Sequence, residues 1–435
     1  MDIMNKFEIE TRKVLSHISY HPIERKLYSH DISVLPKFLE KFSVSVPDAV
    51  IQPESVEEVL KVLEIAKRFS KPVVPRGAAT SAYGGVVPYN GGIVVDFTRM
   101  DSFEIDEERK LLISEPGAVW CDVQKEARKK GLSLRVYPTS APSSTVGGWI
   151  SHGGYGIGSL MFGSIRQNVE ALEVVDFSGK RSVRGDEIKY FVGLQGTTGL
   201  IVSAEVKLMD YSGEVAVAHH FRDYTKAVRI LFDKNAYSAT IFDSGYIKML
   251  NEIKGTDYEE KNTLLIAYLD KIPENETGNA ELGKELWDER FYPLRIKKKG
   301  PSIVSAEVIL PWEMLDLYCS KVSKILSNRE YGIQVFFARS MANVIILIPS
   351  DERSGRFTKD WKTAFKLIKL ATKLSGKPYS TGMYLSYGSK KWIPEYEELE
   401  KYKRRVDPDN LLNPGKVFPT GKLPAIMKMA EIVSI

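Results

Sequence analysis

Cysteine is almost missing from this chain: Cys121 and Cys319 are the only two, far apart and outside any CxxC or Cys/His spacing. That excludes a disulfide framework, and it excludes a four-ligand zinc or iron–sulfur site built by this chain alone. Both thiols are expected to be buried small hydrophobes. Long apolar runs are missing too. No stretch approaches the ~18–20 apolar residues that cross a bilayer. The N-terminus alternates charged and apolar residues where a secretory leader needs a short apolar core. The expected location is the cytoplasm, at most peripheral to a membrane. No charge of one sign dominates: 61 basic against 56 acidic residues leave a net +5. So small and scattered an excess, without an aromatic-rich basic stretch, argues against a nucleic-acid partner. Glutamine is scarce beside many Lys, Glu and Ile, a bias met in thermophile proteins.

What is present is the composition of a globular protein, 43% hydrophobic and 27% charged, neither disordered nor fibrous. A chain of 435 residues exceeds the size at which one core keeps growing, so two domains are expected. Residues 1 to 45 read as helical and connecting segments, with Tyr28-Ser29-His30-Asp31 as a polar break. Ser55 and Glu58 make a capping-box pattern. Val56, Val59, Leu60, Leu63, Ala66 and Phe69 then recur at helical spacing until Pro72. Short strands are expected at Val73-Val74 and from Gly92 to Phe97, and a helix near Cys121 to Lys130. Around residue 212 the character changes to alternating helices and strands, with a charged, surface excursion at 271–300. His219-His220 is expected to begin a strand as a structural pair. The end carries Asp407-Pro408-Asp409 and Leu412-Asn413-Pro414-Gly415-Lys416, rich in turn formers.

Three glycine-rich segments stand out. The first is Pro75-Arg76-Gly77-Ala78-Ala79-Thr80-Ser81 through Gly84-Gly85. Small residues let consecutive backbone N–H groups turn inward around an anion such as a pyrophosphate, and Thr80 and Ser81 add hydroxyl donors. The second runs from Tyr137-Pro138-Thr139-Ser140 through Ser144-Thr145-Val146-Gly147-Gly148-Trp149 to Ser151-His152-Gly153-Gly154. The third is Gly196-Thr197-Thr198-Gly199-Leu200-Ile201. Neither a Walker loop nor a Rossmann fingerprint is among them.

The helix after Pro53-Glu54-Ser55, the PVVPRG loop, STVGGW, GTTG and the terminal LLNPGK occur in an order that resembles the vanillyl-alcohol oxidase / p-cresol methylhydroxylase superfamily of FAD proteins. The chain is most similar to its branch of D-lactate dehydrogenases, glycolate oxidase subunits and alkyldihydroxyacetonephosphate synthases. The likeness is strong over 45–210 and clear over 405–417. It implies an α+β fold: a two-subdomain FAD-binding domain of the p-cresol methylhydroxylase type over 1–211 (core 45–210), and an α+β substrate or cap domain with an antiparallel sheet over 212–395. A C-terminal segment, 396–435, would return to the FAD domain. By the same resemblance, Pro75–Ser81 and the stretch Pro138 to Gly154, with Ser140, Ser144, Thr145, Gly148 and Ser151, would wrap the pyrophosphate and approach the flavin. Gly199 and Ile201 would serve the adenine end, and Asn413 and Lys416 would close the site. Some relatives tether FAD to a histidine in the first loop. Thr80 stands there, so non-covalent FAD is expected.

Departures from the branch matter as much. Lactate and glycolate relatives carry metal-ligand histidines in A-H-x-x-D-G-N-x-H and E-H-G patterns. Here those regions read Ala338-Arg339-Ser340-Met341-Ala342-Asn343-Val344-Ile345 and Gly382-Met383-Tyr384-Leu385-Ser386-Tyr387-Gly388. With no imidazole pair, no metal is expected. Arg339 is then the candidate to grip a substrate carboxylate. Tyr384 and Tyr387 are candidates to orient the substrate. His152 is open to two readings: a base for the hydroxyl proton, or a donor to a cofactor oxygen or a carbonyl.

The expectation is an FAD-dependent dehydrogenase of a small 2-hydroxy acid, D-lactate first, moving hydride to flavin N5. Electrons would pass to a dye, quinone or protein acceptor. An oxidase of a sugar acid, lactone or other alcohol is the alternative, as is a flavin subunit of an electron-transfer complex. A homodimer is open, and any iron–sulfur centre would belong to a partner chain.

Overall fold

The computed structural model describes residues 3–432 apart from 38, 41–44 and 292. The Ser55 hydroxyl accepts from the Glu58 amide at 3.3 Å, and Glu58 reaches back to the Glu54 amide at 2.9 Å. This starts the helix Val56–Arg68, which buries Val59, Val62, Leu63, Ile65 and Ala66. The buried stripe includes Val62 and Ile65, while Val56, Leu60 and Phe69 are only partly covered.

That helix links two parallel strands of the first sheet. β1 (Ile18–Ser19), β2 (Ala49–Ile51), β3 (Val73–Arg76) and β4 (Ile93–Asp96) lie in the order β1-β2-β4-β3. β2 and β3 both pair parallel to β4. At the free side of β3 the chain end returns: Val73 bridges Leu412 in parallel.

The second sheet is antiparallel, with β5 (Phe103–Asp106), β6 (Leu111–Ser114), β7 (Leu132–Leu134), β8 (Val169–Asp176), β9 (Gly179–Arg184) and β10 (Leu200–Asp210). Its order is β5-β6-β10-β8-β9, with β7 beside β10.

The third sheet has seven strands: β11 (Glu214–His220), β12 (Ser238–Phe242), β13 (Thr263–Leu269), β14 (Ser302–Pro311), β15 (Gly332–Ala338), β16 (Met341–Ser350) and β17 (Lys377–Pro378). All pairings are antiparallel, in the order β11-β13-β12-β15-β16-β14-β17. Side chains alternate across a strand, and that alternation decides the site. On β14, Val304, Ala306, Val308 and Leu310 join one core with the helices Leu315–Ile325 and Arg356–Lys373. The residues between them face the other way.

Two expectations about this half need correcting. His219 and His220 end β11 instead of beginning it, and both are held: His219 Nε2 by Glu276 at 2.8 Å, His220 Nδ1 by Thr263 at 3.1 Å. The 271–300 excursion is not merely surface. Its helix Ala280–Asp288 buries Leu286 and Trp287, and Gly283 lies so close to β11 that a Cβ there would stand 2.3 Å from the Ala216 carbonyl. A charged segment can carry an apolar stripe, and charge density alone hid it.

Candidate active site

The first loop and the second glycine segment are pressed together. A Cβ on Gly77 would stand 2.3 Å from Thr145 Oγ1, and one on Gly148 2.8 Å from the same atom. Thr145 caps the short helix Val146–His152, accepting from the Gly148 amide at 3.3 Å. The third segment closes from another side: a Cβ on Gly196 would stand 2.4 Å from Pro75 Cγ. Backbone can approach backbone this closely only where side chains are missing. The result is one wall of a cavity of about 400 Å³.

Pro75, Arg76, Gly77, Ala78, Ala79, Thr80 and Ser81 line it, with Pro138, Thr139, Ser140, Ser144, Thr145, Gly148, Ser151, His152 and Ile201. The other expected residues stand behind that wall. Asn413, itself at φ 40°, donates through Nδ2 to the carbonyls of Gly85 (2.9 Å) and Gln195 (2.6 Å), tying the first loop to the GTTG turn. Lys416 is fully buried and donates to the Val87 carbonyl at 2.6 Å; burial pushes its ammonium down to about 7. Gly199 packs on Phe191. Gly154 makes room for Tyr379, whose hydroxyl would lie 2.3 Å from a Cβ at that position.

An N-terminal segment braces the same loop. Asp31 accepts from the Gly84 amide at 2.7 Å and lines the cavity. Arg76 donates to the His30 carbonyl at 2.8 Å, its guanidinium 4.9 Å from the Tyr28 ring centre. The polar break at 28–31 is therefore part of the site.

The opposite wall comes from the third sheet. Ser305 and Glu307 on β14, Phe336 on β15, and Asn343 and Ile345 on β16 reach the cavity, joined by Tyr83, Tyr155 and Tyr379. Asn343 Nδ2 donates to Glu307 Oε1 at 2.9 Å and the Tyr83 hydroxyl to Oε2 at 3.1 Å. Burial pushes the Glu307 carboxyl up to about 7, the two hydrogen bonds only partly opposing this. The Tyr379 hydroxyl donates to the Tyr155 carbonyl at 3.0 Å. The His152 ring lies between the tyrosines, 6.0 Å from Tyr83 and 5.4 Å from Tyr379 between ring centres. Desolvation lowers its pKa, which keeps the imidazole neutral.

Three expected substrate residues are elsewhere. Arg339 occupies the exposed turn between β15 and β16 at φ 44° and does not line the cavity. A two-residue turn places its side chains at the end of the hairpin, off the sheet's face. Tyr384 is buried behind the first loop, its hydroxyl 2.9 Å from Ser33 Oγ and its ring against Gly84. Tyr387 packs with Trp392, also away from the cavity. Glu307, Asn343 and Tyr379 were missed in the sequence. Alternation along the Ser302–Pro311 strand was the available signal for Glu307, the one charged residue in that strand.

Whether these walls fit a large polar cofactor can be tested on their own atoms. Ser81 Oγ, Ser144 Oγ, His152 Nε2, Gln195 Oε1 and Asn343 Oδ1 are buried without a hydrogen-bond partner, each on a residue lining the cavity. An unsatisfied buried polar atom costs about 1–3 kcal/mol, so this concentration fits a ligand rich in polar groups. Among the described residues no cluster of three or more His, Cys, Asp or Glu could hold a metal. No helix among them is long and apolar enough to cross a membrane.

A backbone cradle facing an antiparallel sheet, in this order along the chain, defines an FAD-linked oxidoreductase. Residues 47–183 match the FAD binding domain family, and 215–417 match the C-terminal domain of FAD linked oxidases. Glycolate oxidase subunit GlcD of Bacillus subtilis is 36% identical, covering 91% of this chain and 92% of its own. The D-lactate dehydrogenase of Archaeoglobus fulgidus is 26% identical over 88% and 93% of the two chains. A solved p-cresol methylhydroxylase shares the fold at a TM-score of 0.74 and 16% identity, covering 96% of this chain and 97% of that one. The chain belongs to the FAD-linked oxidase family of the glycolate oxidase GlcD and D-lactate dehydrogenase group, and its cofactor is FAD.

Proposed function

We propose that this protein oxidises the CH–OH group of a small 2-hydroxy acid, with D-lactate the first substrate to try and glycolate the second. The family supplies the reaction class. The observation that carries the reading is the polar cluster of Glu307, Asn343, Tyr83 and His152 in one cavity with the glycine-rich cradle. The cradle, Pro75–Ser81 with Ser140, Ser144, Thr145 and Ile201, would hold FAD without a covalent link. Bound FAD supplies a two-electron acceptor for hydride. The protein's own part is to hold the substrate carbon and hydroxyl in place, to exclude water, and to take the hydroxyl proton. A dye, quinone or protein then collects the electrons.

One observation favours a second reading, an uncharged alcohol, lactone or sugar. Among the described residues lining the cavity, Arg76 is the one Lys or Arg, and it is engaged at the cradle with His30 and Tyr28. The sheet wall offers a substrate carboxylate hydroxyls and an amide in place of a cation. Anaerobic addition of D- and L-lactate, glycolate, 2-hydroxyglutarate, sugars and simple alcohols separates the readings. Loss of the flavin's visible absorbance with D-lactate or glycolate supports the first, and loss with neutral alcohols alone supports the second. If no member acts, CH–OH oxidation is the wrong reaction, and a flavin subunit of an electron-transfer complex takes its place. Acid precipitation should leave the yellow cofactor in solution; colour in the pellet would refute non-covalent binding.

A further inference from the structure

Glu307 is the one carboxylate that the sheet wall sends into the cavity. Its neighbours along β14, Ala306 and Val308, point into the opposite core, so the strand's alternation fixes its direction. Each carboxylate oxygen holds one donor: Asn343 Nδ2 from β16 at Oε1, and the Tyr83 hydroxyl from the cradle loop at Oε2. A carboxylate has about four lone-pair sites, so each oxygen keeps one to offer.

We propose that Glu307 is the proton acceptor of the reaction, taking the proton of the substrate hydroxyl as the CH–OH group is oxidised. This rests on the CH–OH reading above, but not on whether the substrate carries a carboxylate. In balance, the O–H bond breaks with its proton passing to Glu307, and the carbon-bound hydrogen leaves with its electron pair to the bound FAD. The C–O bond becomes C=O, and the external acceptor later collects two electrons. The titratable groups facing Glu307 are Tyr83 and Tyr379, with His152 packed against both rings. Burial raises both phenols and lowers the imidazole. All three are therefore neutral near pH 7, and no cation holds the carboxylate ionised. An acceptor titrating near the working pH is the efficient kind. His152 is the rival. Its Nδ1 sits 3.2 Å from the Gly153 carbonyl, which leaves Nε2, buried without a partner on the same cavity, as the free lone pair.

The test uses the holoprotein and a panel member that reduces it. Glu307→Gln keeps the shape and removes the acceptor. It should retain a full complement of FAD while anaerobic reduction slows by about 100-fold or more. In the wild type the rate should rise with pH through about 7. Tyr83→Phe, which removes one donor to the ionised form, should move that rise to higher pH. Independently of turnover, the infrared absorption of protonated carboxyls should fade as substrate-free holoprotein is taken through the same range; burial brings Asp243 to about 7 as well, so Glu307→Gln should lose one of the two contributions and keep the other. Reduction of Glu307→Gln at the wild-type rate overturns the proposal while leaving CH–OH oxidation standing. Loss of the pH rise in His152→Gln but not in Glu307→Gln overturns it in favour of the histidine. A wild type reduced by no panel member removes the CH–OH reading itself, and the proposal falls with it.

Discussion

The two walls of the cavity are made in opposite ways. The cradle is backbone: Gly77, Gly148 and Gly196 bring three loops within a methyl group's width of one another. Asn413 and Lys416 lock that arrangement from behind through carbonyls. The sheet wall is side chains on a rigid antiparallel frame, spaced two residues apart on β14 and β16. The cradle's recognition does not depend on residue type, because a backbone donor is the same whatever the residue. The sheet wall can change its chemistry by single substitutions without disturbing its strands. Here it presents Ile345 and Asn343 in the region where the relatives' histidine pattern would fall, and a buried carboxylate beside them.

Substitutions on each side should separate these roles. The largest effect is expected from Gly77→Val, whose side chain would strike Thr145. FAD content after purification should fall to near zero, with affinity at least about 100-fold weaker and about 1–3 kcal/mol of stability lost to overpacking. Asn413→Ala removes both ties between Gly85 and Gln195. About 1–3 kcal/mol should be lost in urea unfolding, with weaker FAD retention. Lys416 gives a pH signature. Its folded pKa, near 7, lies below the ordinary lysine value of 10.5, so the unfolded chain holds more protons between them. Its burial therefore costs most below pH 7, and stability from this group rises as pH climbs from 7 towards 10.5. Lys416→Met should flatten that slope in urea midpoints measured across pH 7 to 9. The smallest effect belongs to Arg339→Ala, at an exposed turn. It should leave flavin reduction by the substrate unchanged and stability within about 0.5 kcal/mol; a large loss of substrate affinity would return Arg339 to the site.

The same contrast explains what could be read from residues alone. Cradle motifs are contiguous, so their order along the chain carried the family resemblance that pointed Pro75–Ser81 and Pro138 to Gly154 to the cofactor. The sheet wall draws Ser305, Phe336, Asn343 and Tyr379 from four separate segments. No spacing rule links them, because their neighbourhood is created by strand pairing. Arg339 lies only four residues before Asn343, yet the chain reverses between them, and one turn separates solvent from cavity. Tyr384 was drawn to the substrate by its place in the region of the relatives' E-H-G pattern, but it fills the space behind the loop. Arg76 meets the His30 carbonyl across 46 residues of chain, so the N-terminal brace left no local pattern either.

The division of labour between the walls is tested most directly by equilibrium FAD binding to the apoprotein of two variants, Gly77→Val and Glu307→Gln. Glu307→Gln should bind FAD within about threefold of the wild type, while Gly77→Val should bind it at least about 100-fold more weakly, a gap of roughly 2.7 kcal/mol. Equal losses in both variants would contradict the account, because the sheet wall would then be holding the cofactor too.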